Sequence, residues 1–261
     1  MLPLQSEVAS LFTNTSGALM THIGKSWLAR LCVLLLAGVS HIPIWAAPLE
    51  VYVNEVEPYT LTKDPARRGL QVEIMEEVSR RTGLPMNIKS VPYARLDFVL
   101  KNQVADVAAH FPDGMEQCCV DLGLLISFKS QILSMAGAPI TSISQLQGKT
   151  LGMPRGAFFD DRVNKDPQIR LYEIVDPFQG IKMMQGGRMD ALVSSHYIQV
   201  HAMRLNNISR SEFAPPLVIG EKSYNLYARN SLPEGISQKI RNTLADLYKS
   251  GAIREIIKKY E

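Results

Sequence analysis

Apolar positions along this chain switch repeatedly between a period of two and a period near 3.6, and that switching predicts its elements. Leu49 to Val53 alternates as a strand, and a polar loop from Asn54 to Arg68 follows, holding Glu55, Glu57, Pro58 and Tyr59. From Leu70 the period is helical: Leu70, Ile74, Met75 and Val78 share one face. On the other face Glu76 is placed to pair with Arg80 and Glu77 with Arg81, and Gly83 with Pro85 ends the helix. Met86 to Val91 reads as a strand, Tyr93 to Lys101 as a second helix and Asp106 to Ala109 as a third strand. The first part is therefore a βαβαβ layer with right-handed crossovers and a parallel sheet.

The same order recurs. Ile132 to Ala138 is an apolar run with no helix directly after it, and Ser144 to Gln147 is a one-turn start. Then come a strand (Thr150 to Met153), a helix from Ala157, a strand (Arg170 to Ile174), a helix (Pro177 to Gln185), a strand (Ala191 to Ser194) and a helix (Tyr197 to Leu205). Residues recur too, since Leu100 to Ala109 and Met184 to Val193 carry the same helix end, polar turn, aspartate and buried strand. Two lobes of like construction follow. Ser223 to Ala228 is a further strand, and Ser231 to Glu234 reads as a capping box with proline in the first turn. Ile236, Ile240, Leu244 and Leu247 form the stripe of a helix ended by Gly251, and Ile253 to Lys259 is a closing helix. With no flexible linker in between, the lobes are expected to be joined by two crossing strands, Ile132 to Ala138 and Ser223 to Ala228.

Composition sets the compartment and removes several functions. Lys25 and Arg30 precede the apolar run Leu31 to Val39, which ends near Ile44 to Ala47 in the manner of a secretory signal peptide. The run is short of the roughly 20 residues that cross a bilayer. Cleavage is placed after Ala46, and Met20 is a candidate start because Met1 to Leu19 carries no usable pattern. The chain holds 28 basic and 25 acidic residues, and Lys25, Arg30 and Glu7 alone precede residue 47, so the mature part is nearly balanced. Nothing in that balance asks for nucleic acid or an anionic membrane, and a small molecule is the default partner. About 215 mature residues bury a substantial core. Cys118 and Cys119 are adjacent, with no second pair to complete a zinc set, so they are either free thiols or a vicinal disulfide, and no metal or cofactor is implied.

One stretch looks chemically active. Gln147 to Asp160 reads as a buried strand, a tight turn at Pro154, Arg155 and Gly156, and the opening of a helix at Ala157. Such a turn leaves N–H groups free to meet an anion, and Arg155 beside them is the natural two-point partner for a carboxylate or phosphate.

The whole mature chain resembles the bacterial extracellular solute-binding proteins of family 3, receptors that deliver polar amino acids and related solutes to ABC importers. The matching stretches are Gly69-Leu-Gln-Val-Glu-Ile74, Pro92-Tyr-Ala-Arg95, Leu146-Gln-Gly-Lys149 and Gly186-Gly-Arg-Met-Asp-Ala191. Leu244-x-x-Leu-Tyr-Lys-Ser-Gly251 and Ile256-Ile-Lys-Lys-Tyr260 close the set. The resemblance implies an α/β, two-lobed periplasmic-binding-protein fold of type II, each lobe a mainly parallel sheet flanked by helices. Lobe one is then residues 47–131 plus 226–261, lobe two is 132–225, and solute is trapped as they close. It also implies a monomer that hands its solute to an inner-membrane permease.

Departures from the family pattern matter as much. Where the family holds a solute carboxylate with arginine in a Thr-x-x-Arg stretch, this chain has Phe111 and Glu116. Where it holds the ammonium with aspartate, Ser195 stands, next to Ser194. The family's Gly-Thr-Thr or Gly-Ser-Thr becomes Gly156-Ala157-Phe158. Tyr93 falls where the family sets an aromatic ring against the solute. Arg95 either reaches the cleft or pairs with Asp97 or Asp64, and Glu116 either accepts a cation or lies exposed. His110 and His196 each follow a buried strand, where a lone histidine is usually a satisfied polar residue. The candidate ligand-binding set is Glu57, Tyr59, Tyr93, Arg95, His110, Phe111, Glu116, Arg155, Gly156, Ala157, Phe158, Ser194 and Ser195. The expected function is binding without chemistry, since no Walker loop, nucleophile elbow or metal spacing is present. The alternatives are a periplasmic dehydratase of the cyclohexadienyl type, using Glu57 or Glu116 as its acid, and an accessory or sensory receptor without its own transporter.

Overall fold

The computed structural model describes residues 47–66 and 68–261, so the signal peptide expected over residues 1–46 lies outside the described residues. Strand β1 (Leu49–Asn54) pairs in parallel with β2 (Met86–Val91) on one side and with β3 (Val107–His110) on the other. Helices α1 (Leu70–Thr82) and α2 (Tyr93–Lys101) make the crossovers. Leu70, Ile74, Met75 and Val78 are buried as their spacing requires, and Gly83 ends α1 at φ 66° while donating its N–H to the Ser79 carbonyl at 2.8 Å. The expected Glu77–Arg81 pair forms at 2.8 Å, but Arg80 also reaches Glu77, at 2.7 Å, instead of Glu76. Hydrogen bonds from Arg80 and Arg81 hold the Glu77 carboxyl down at about 2.

The second unit copies the first. β5 (Thr150–Pro154) lies parallel between β6 (Arg170–Ile174) and β7 (Ala191–Ser195). A single turn, α3 (Asp161–Asn164), follows β5, and the longer helices α4 (Pro177–Gln185) and α5 (His196–Leu205) follow β6 and β7. The spatial order β2-β1-β3 thus recurs as β6-β5-β7. The repeat reaches single atoms: Asp106 accepts the Glu50 N–H at 2.7 Å and Asp190 accepts the Thr150 N–H at 2.8 Å. One carboxylate anchors the first strand of each unit, which is why both similar segments carry an aspartate.

Between the units run β4 (Cys119–Ser134) and β8 (Leu217–Arg229), a long antiparallel pair at the centre of the eight-stranded order β2-β1-β3-β8-β4-β7-β5-β6. β8 pairs with β3 through residues 225–228, and β4 pairs with β7 through residues 130–134. Midway, residues 126–129 of β4 face residues 221–224 of β8. The apolar run Ile132 to Ala138 is therefore not a strand of its own: Ile132 to Ser134 ends β4, and Met135 makes an isolated bridge to Phe213. Alternation hid the earlier part of β4 because its register slips between Asp121 and Gly123 and again between Leu124 and Ile126. β8 likewise begins at Leu217, ahead of the expected Ser223.

The closing helices α6 (Glu234–Lys249) and α7 (Ala252–Ile257) pack on the first unit. No capping box forms at Ser231, whose hydroxyl donates to Gln103 at 3.0 Å, and Pro233 takes the position before α6. Cys118 and Cys119 form a vicinal disulfide, one of the two expected states. The main core runs beneath both units through Val51, Val53, Ile126, Leu151 and Val193, and a satellite of Leu96, Leu100, Met115 and Tyr227 sits under α2. Among the described residues no helix is long and apolar enough to cross a membrane.

Candidate functional site

The loop after β5 overturns one expectation. No helix opens at Ala157; the chain stays irregular until α3 at Asp161, where the Asp160 carboxylate caps the turn by accepting from the Arg162 N–H at 2.8 Å. Several amides of this loop are already bonded. Arg155 N–H donates to Ile174, Ala157 N–H to Pro154, and the Asn164 side-chain oxygen accepts from both Phe159 and Asp160 at 2.9 and 3.1 Å. Arg155 also turns outward, to Glu173 on β6 at 3.1 Å, with both side chains more than half exposed.

What the fold does assemble is an aromatic wall. β3 ends in His110 and leads into Phe111, the start of α2 supplies Tyr93, and the central strands supply Phe128 and Tyr224. The Phe111 ring lies 4.7 Å from both Tyr93 and Tyr224 and 5.8 Å from Phe128, while His110 stacks on Tyr93 at 5.3 Å. Edges and offset faces at these separations suit ring quadrupoles. His110 Nδ1 is 2.8 Å from the Phe111 carbonyl, so it is a satisfied polar residue, as a histidine in that place usually is.

Residues of the second unit meet the first unit at three points. The Tyr59 hydroxyl, fully buried, donates to Ser195 Oγ at 2.7 Å. Ser195 in turn caps α5 by accepting from the Ile198 N–H, and Ser194 is buried beside it. Glu57 takes a hydrogen bond from Thr62 at 3.0 Å on one oxygen and lies 3.3 Å from His201 Nε2 on the other. Third, Gly156 (φ 75°) presses on α2 so closely that a Cβ there would stand 3.0 Å from the Ala94 methyl group. Beside these contacts a cleft of about 590 Å³ stays open between Glu57 and Lys63 on one side and Asp176, Phe178 and Lys182 on the other.

Ala157 is buried and Phe158 is 37% exposed, its ring 5.3 Å from the ammonium of Lys222 on β8. Two expected members, Glu116 and Arg95, are exposed and join neither the aromatic wall nor the contacts between the units. Glu116 is exposed and its charge acts on Tyr227, on the far side of β8 from the wall. Arg95 is exposed, and neither proposed partner holds it, because Asp97 bonds Lys101 and Asp64 bonds Arg68. Sequence reasoning passed over Lys222, whose ammonium lies 5.4 Å from the Phe111 ring and 5.3 Å from the Phe158 ring and bonds Asp113 at 3.0 Å. Its only sequence signal is a place on the strand that also carries Tyr224, and that strand was read as starting one residue later.

Burial pushes His110, His196 and His201 below the ordinary value of 6.5. These side chains stay neutral in the fold where the unfolded chain takes up protons. Their contribution is whole above pH 6.5 and is lost as the pH falls below it. The melting midpoint is therefore expected to drop between pH 7 and pH 5, with a shallower drop in His196→Gln. A midpoint that stays level over that interval contradicts the assignment.

No family model matches the chain. A Bacillus subtilis (strain 168) protein named "Probable amino-acid-binding protein YxeM" is 20% identical over 212 residues, covering 78% of this chain and 79% of that one. Among solved structures, a mutant of ArgBP from T. maritima superposes with a TM-score of 0.69 at 19% identity, covering 81% of this chain and 94% of the other. The arginine-, lysine-, histidine-binding protein ArtJ from Geobacillus stearothermophilus gives 0.68 at 18% identity, covering 82% and 95%. The fold is thus that of the two-lobed periplasmic binding proteins, and motif order, relatives and architecture agree that the chain resembles the extracellular solute-binding proteins of family 3.

Proposed function

We propose that this chain is an exported, periplasmic solute-binding protein that works as a monomer, closes two lobes on a small organic solute and presents it to an ABC-type permease, with no chemistry of its own. The observation that carries this reading is the central pair β4 and β8, which belongs to both repeated units and has a middle stretch, residues 126–129 against 221–224, where the two strands pair with each other. Two strands twisting about such a stretch make a hinge. Lobe one is then the β1–β3 unit with α6 and α7, lobe two the β5–β7 unit, and residues 1–46 are the removed export signal.

The relatives' names point to amino acids, yet the site departs from what a zwitterion needs. Ser195, standing where the family places its ammonium-binding aspartate, is already engaged by Tyr59 and the Ile198 N–H. A buried ammonium left without a partner costs more than the contact returns. The solute class that fits has an apolar or aromatic body and one anionic end. The dehydratase alternative loses its acid: Glu116 is exposed away from the wall, and both Glu57 oxygens have partners.

Small-angle scattering on the mature protein, with and without each member of a panel of amino acids, aromatic acids and small organic acids, tests the reading alongside thermal melting. A bound solute at about a hundred times its dissociation constant adds roughly 2.7 kcal/mol of stability. Compaction and a raised midpoint with an organic acid are expected. An unchanged profile across the panel sinks the hinge reading, and a largest shift from an ordinary polar amino acid overturns the solute class.

A further inference from the structure

We infer that Lys222 is the anion receptor between the two units: the anionic end of the solute binds its ammonium by displacing Asp113, while Phe111 and Phe158 bracket the adjoining apolar body. The inference rests on the solute-binding reading and names the residue that selects the solute. Three features of the site lead to it.

The first is position. Lys222 lies in the middle stretch of β8, opposite Phe128 of β4, and its ammonium stands between a ring carried by the β3–β4 loop and a ring carried by the β5–α3 loop. It is a cation against which each unit sets a ring. Closing the lobes brings Phe158 toward it and opening them takes Phe158 away, so an anion held there couples directly to closure.

The second is environment. The Lys222 side chain keeps 16% of its exposure, and two ring faces within about 6 Å favour a cation there while removing water from around it. Water-poor surroundings strengthen an ion pair. Arg155 offers the opposite case, since its side chain is 62% exposed and already faces Glu173.

The third is the partner now in place. Asp113 is 70% exposed, on the loop between Phe111 and the disulfide, and its contact with Lys222 is a surface ion pair on one side. Pairs of that kind contribute little net stability and exchange readily. A solute carboxylate that also stacks its body on Phe111 and Phe158 has contacts Asp113 lacks. Asp160, the other carboxylate whose charge acts on Lys222, is tied to Arg162 through two oxygens at 2.7 and 2.9 Å and does not compete. Lys165, the second ammonium near Phe158, bonds Asp161 at 2.9 Å. Lys165 is 68% exposed, so of the two ammonium groups near Phe158 it is Lys222 that sits in water-poor surroundings.

The test uses the mature protein and a matched pair of probes, 3-phenylpropionate and its neutral amide, with affinity read by titration calorimetry and melting midpoint. Wild type is expected to bind the carboxylate and not the amide. Lys222→Met, which keeps the stem and removes the charge, should lose tenfold or more in affinity. Asp113→Asn should gain, because the competing carboxylate is gone, and Arg155→Gln should match wild type. A circular-dichroism melt checks that each variant is folded; the gain in Asp113→Asn cannot be produced by unfolding. Lys222→Met binding as well as wild type, or a weaker Asp113→Asn, overturns the role of Lys222 and leaves solute binding standing. Failure of the carboxylate to bind either wild type or Asp113→Asn also overturns it, and compaction by some other solute in scattering would then keep the hinge reading intact.

Discussion

Tyr224→Ala is expected to cost about 4 kcal/mol of stability, the range found when a large buried aromatic is cut back to a methyl group. Tyr224 is 3% exposed and four rings surround its own: Phe111 at 4.7 Å, Tyr59 at 5.2 Å, Phe128 at 5.7 Å and Tyr93 at 6.3 Å. Those neighbours come from the first unit and from β4, so they cannot all collapse into the space left behind. The hydroxyl accepts from Asn54 Nδ2 at 2.7 Å, and the side-chain oxygen Oδ1 of Asn54 already lacks a hydrogen-bond partner. Tyr224→Phe keeps the ring but orphans that amide donor, and about 1.5 kcal/mol is expected for it. Denaturant unfolding separates the two contributions. Equal losses in both variants would mean that the hydroxyl dominates and that ring packing at the hinge contributes nothing. Solute-induced compaction should survive Tyr224→Phe and vanish in Tyr224→Ala.

Much of this fold is legible in the sequence because local signals agree with one another. α1 shows period, charge, glycine stop and proline in one stretch, and β2, α2, β6 and α4 lie within the residues their pattern marks. The repeat was readable as well, since Asp106 and Asp190 each anchor a strand. Failures fall where the determining partner is remote in sequence. β4 hides behind register slips that make sense only opposite β8. The Gly156–Phe158 turn looks like a helix start until Asn164 is seen to bond the Phe159 and Asp160 amides from below.

The site divides in the same way. Tyr93, Phe111 and Ser195 sit at ends of strands and helices, and alignment of motifs finds such positions. A long charged side chain is different, because the same residue reaches inward or outward according to what lies across from it. Arg155 finds Glu173 on the next strand, whereas Lys222, unremarked in sequence, finds two rings and an aspartate from two separate loops. Tyr59 is a middle case. Its hydroxyl is readable as a polar handle, but its partner Ser195 lies 136 positions away.

Gly69→Ala should be the most damaging single methyl group in the protein. Gly69 precedes α1 at φ 150°, and an added Cβ would stand 2.4 Å from the Tyr59 carbonyl oxygen and 2.6 Å from the Thr60 Cα. Both atoms are backbone, so no side chain can swing aside. The crowded segment is held from two directions, with Leu70 N–H donating to Pro58 and Gln71 N–H donating to Tyr59 at 2.9 and 3.1 Å. Relief therefore moves either α1 or the Glu57–Tyr59 loop, and the loop carries both polar contacts to the second unit. Overpacking against fixed backbone is expected to cost about 3 kcal/mol. For a chain of this size that lowers the melting midpoint by roughly 6 to 12 °C. Gly83→Ala is the control, since Gly83 also has a positive φ of 66° but nothing lies within 4 Å of an added Cβ, and about 1 kcal/mol is expected there. If the two variants melt together, backbone conformation explains both and the close approach of α1 to the Tyr59 loop has no energetic weight. If Gly69→Ala melts lower and also loses compaction with solute, the clash has displaced Tyr59 from Ser195 and tied the start of α1 to closure of the cleft.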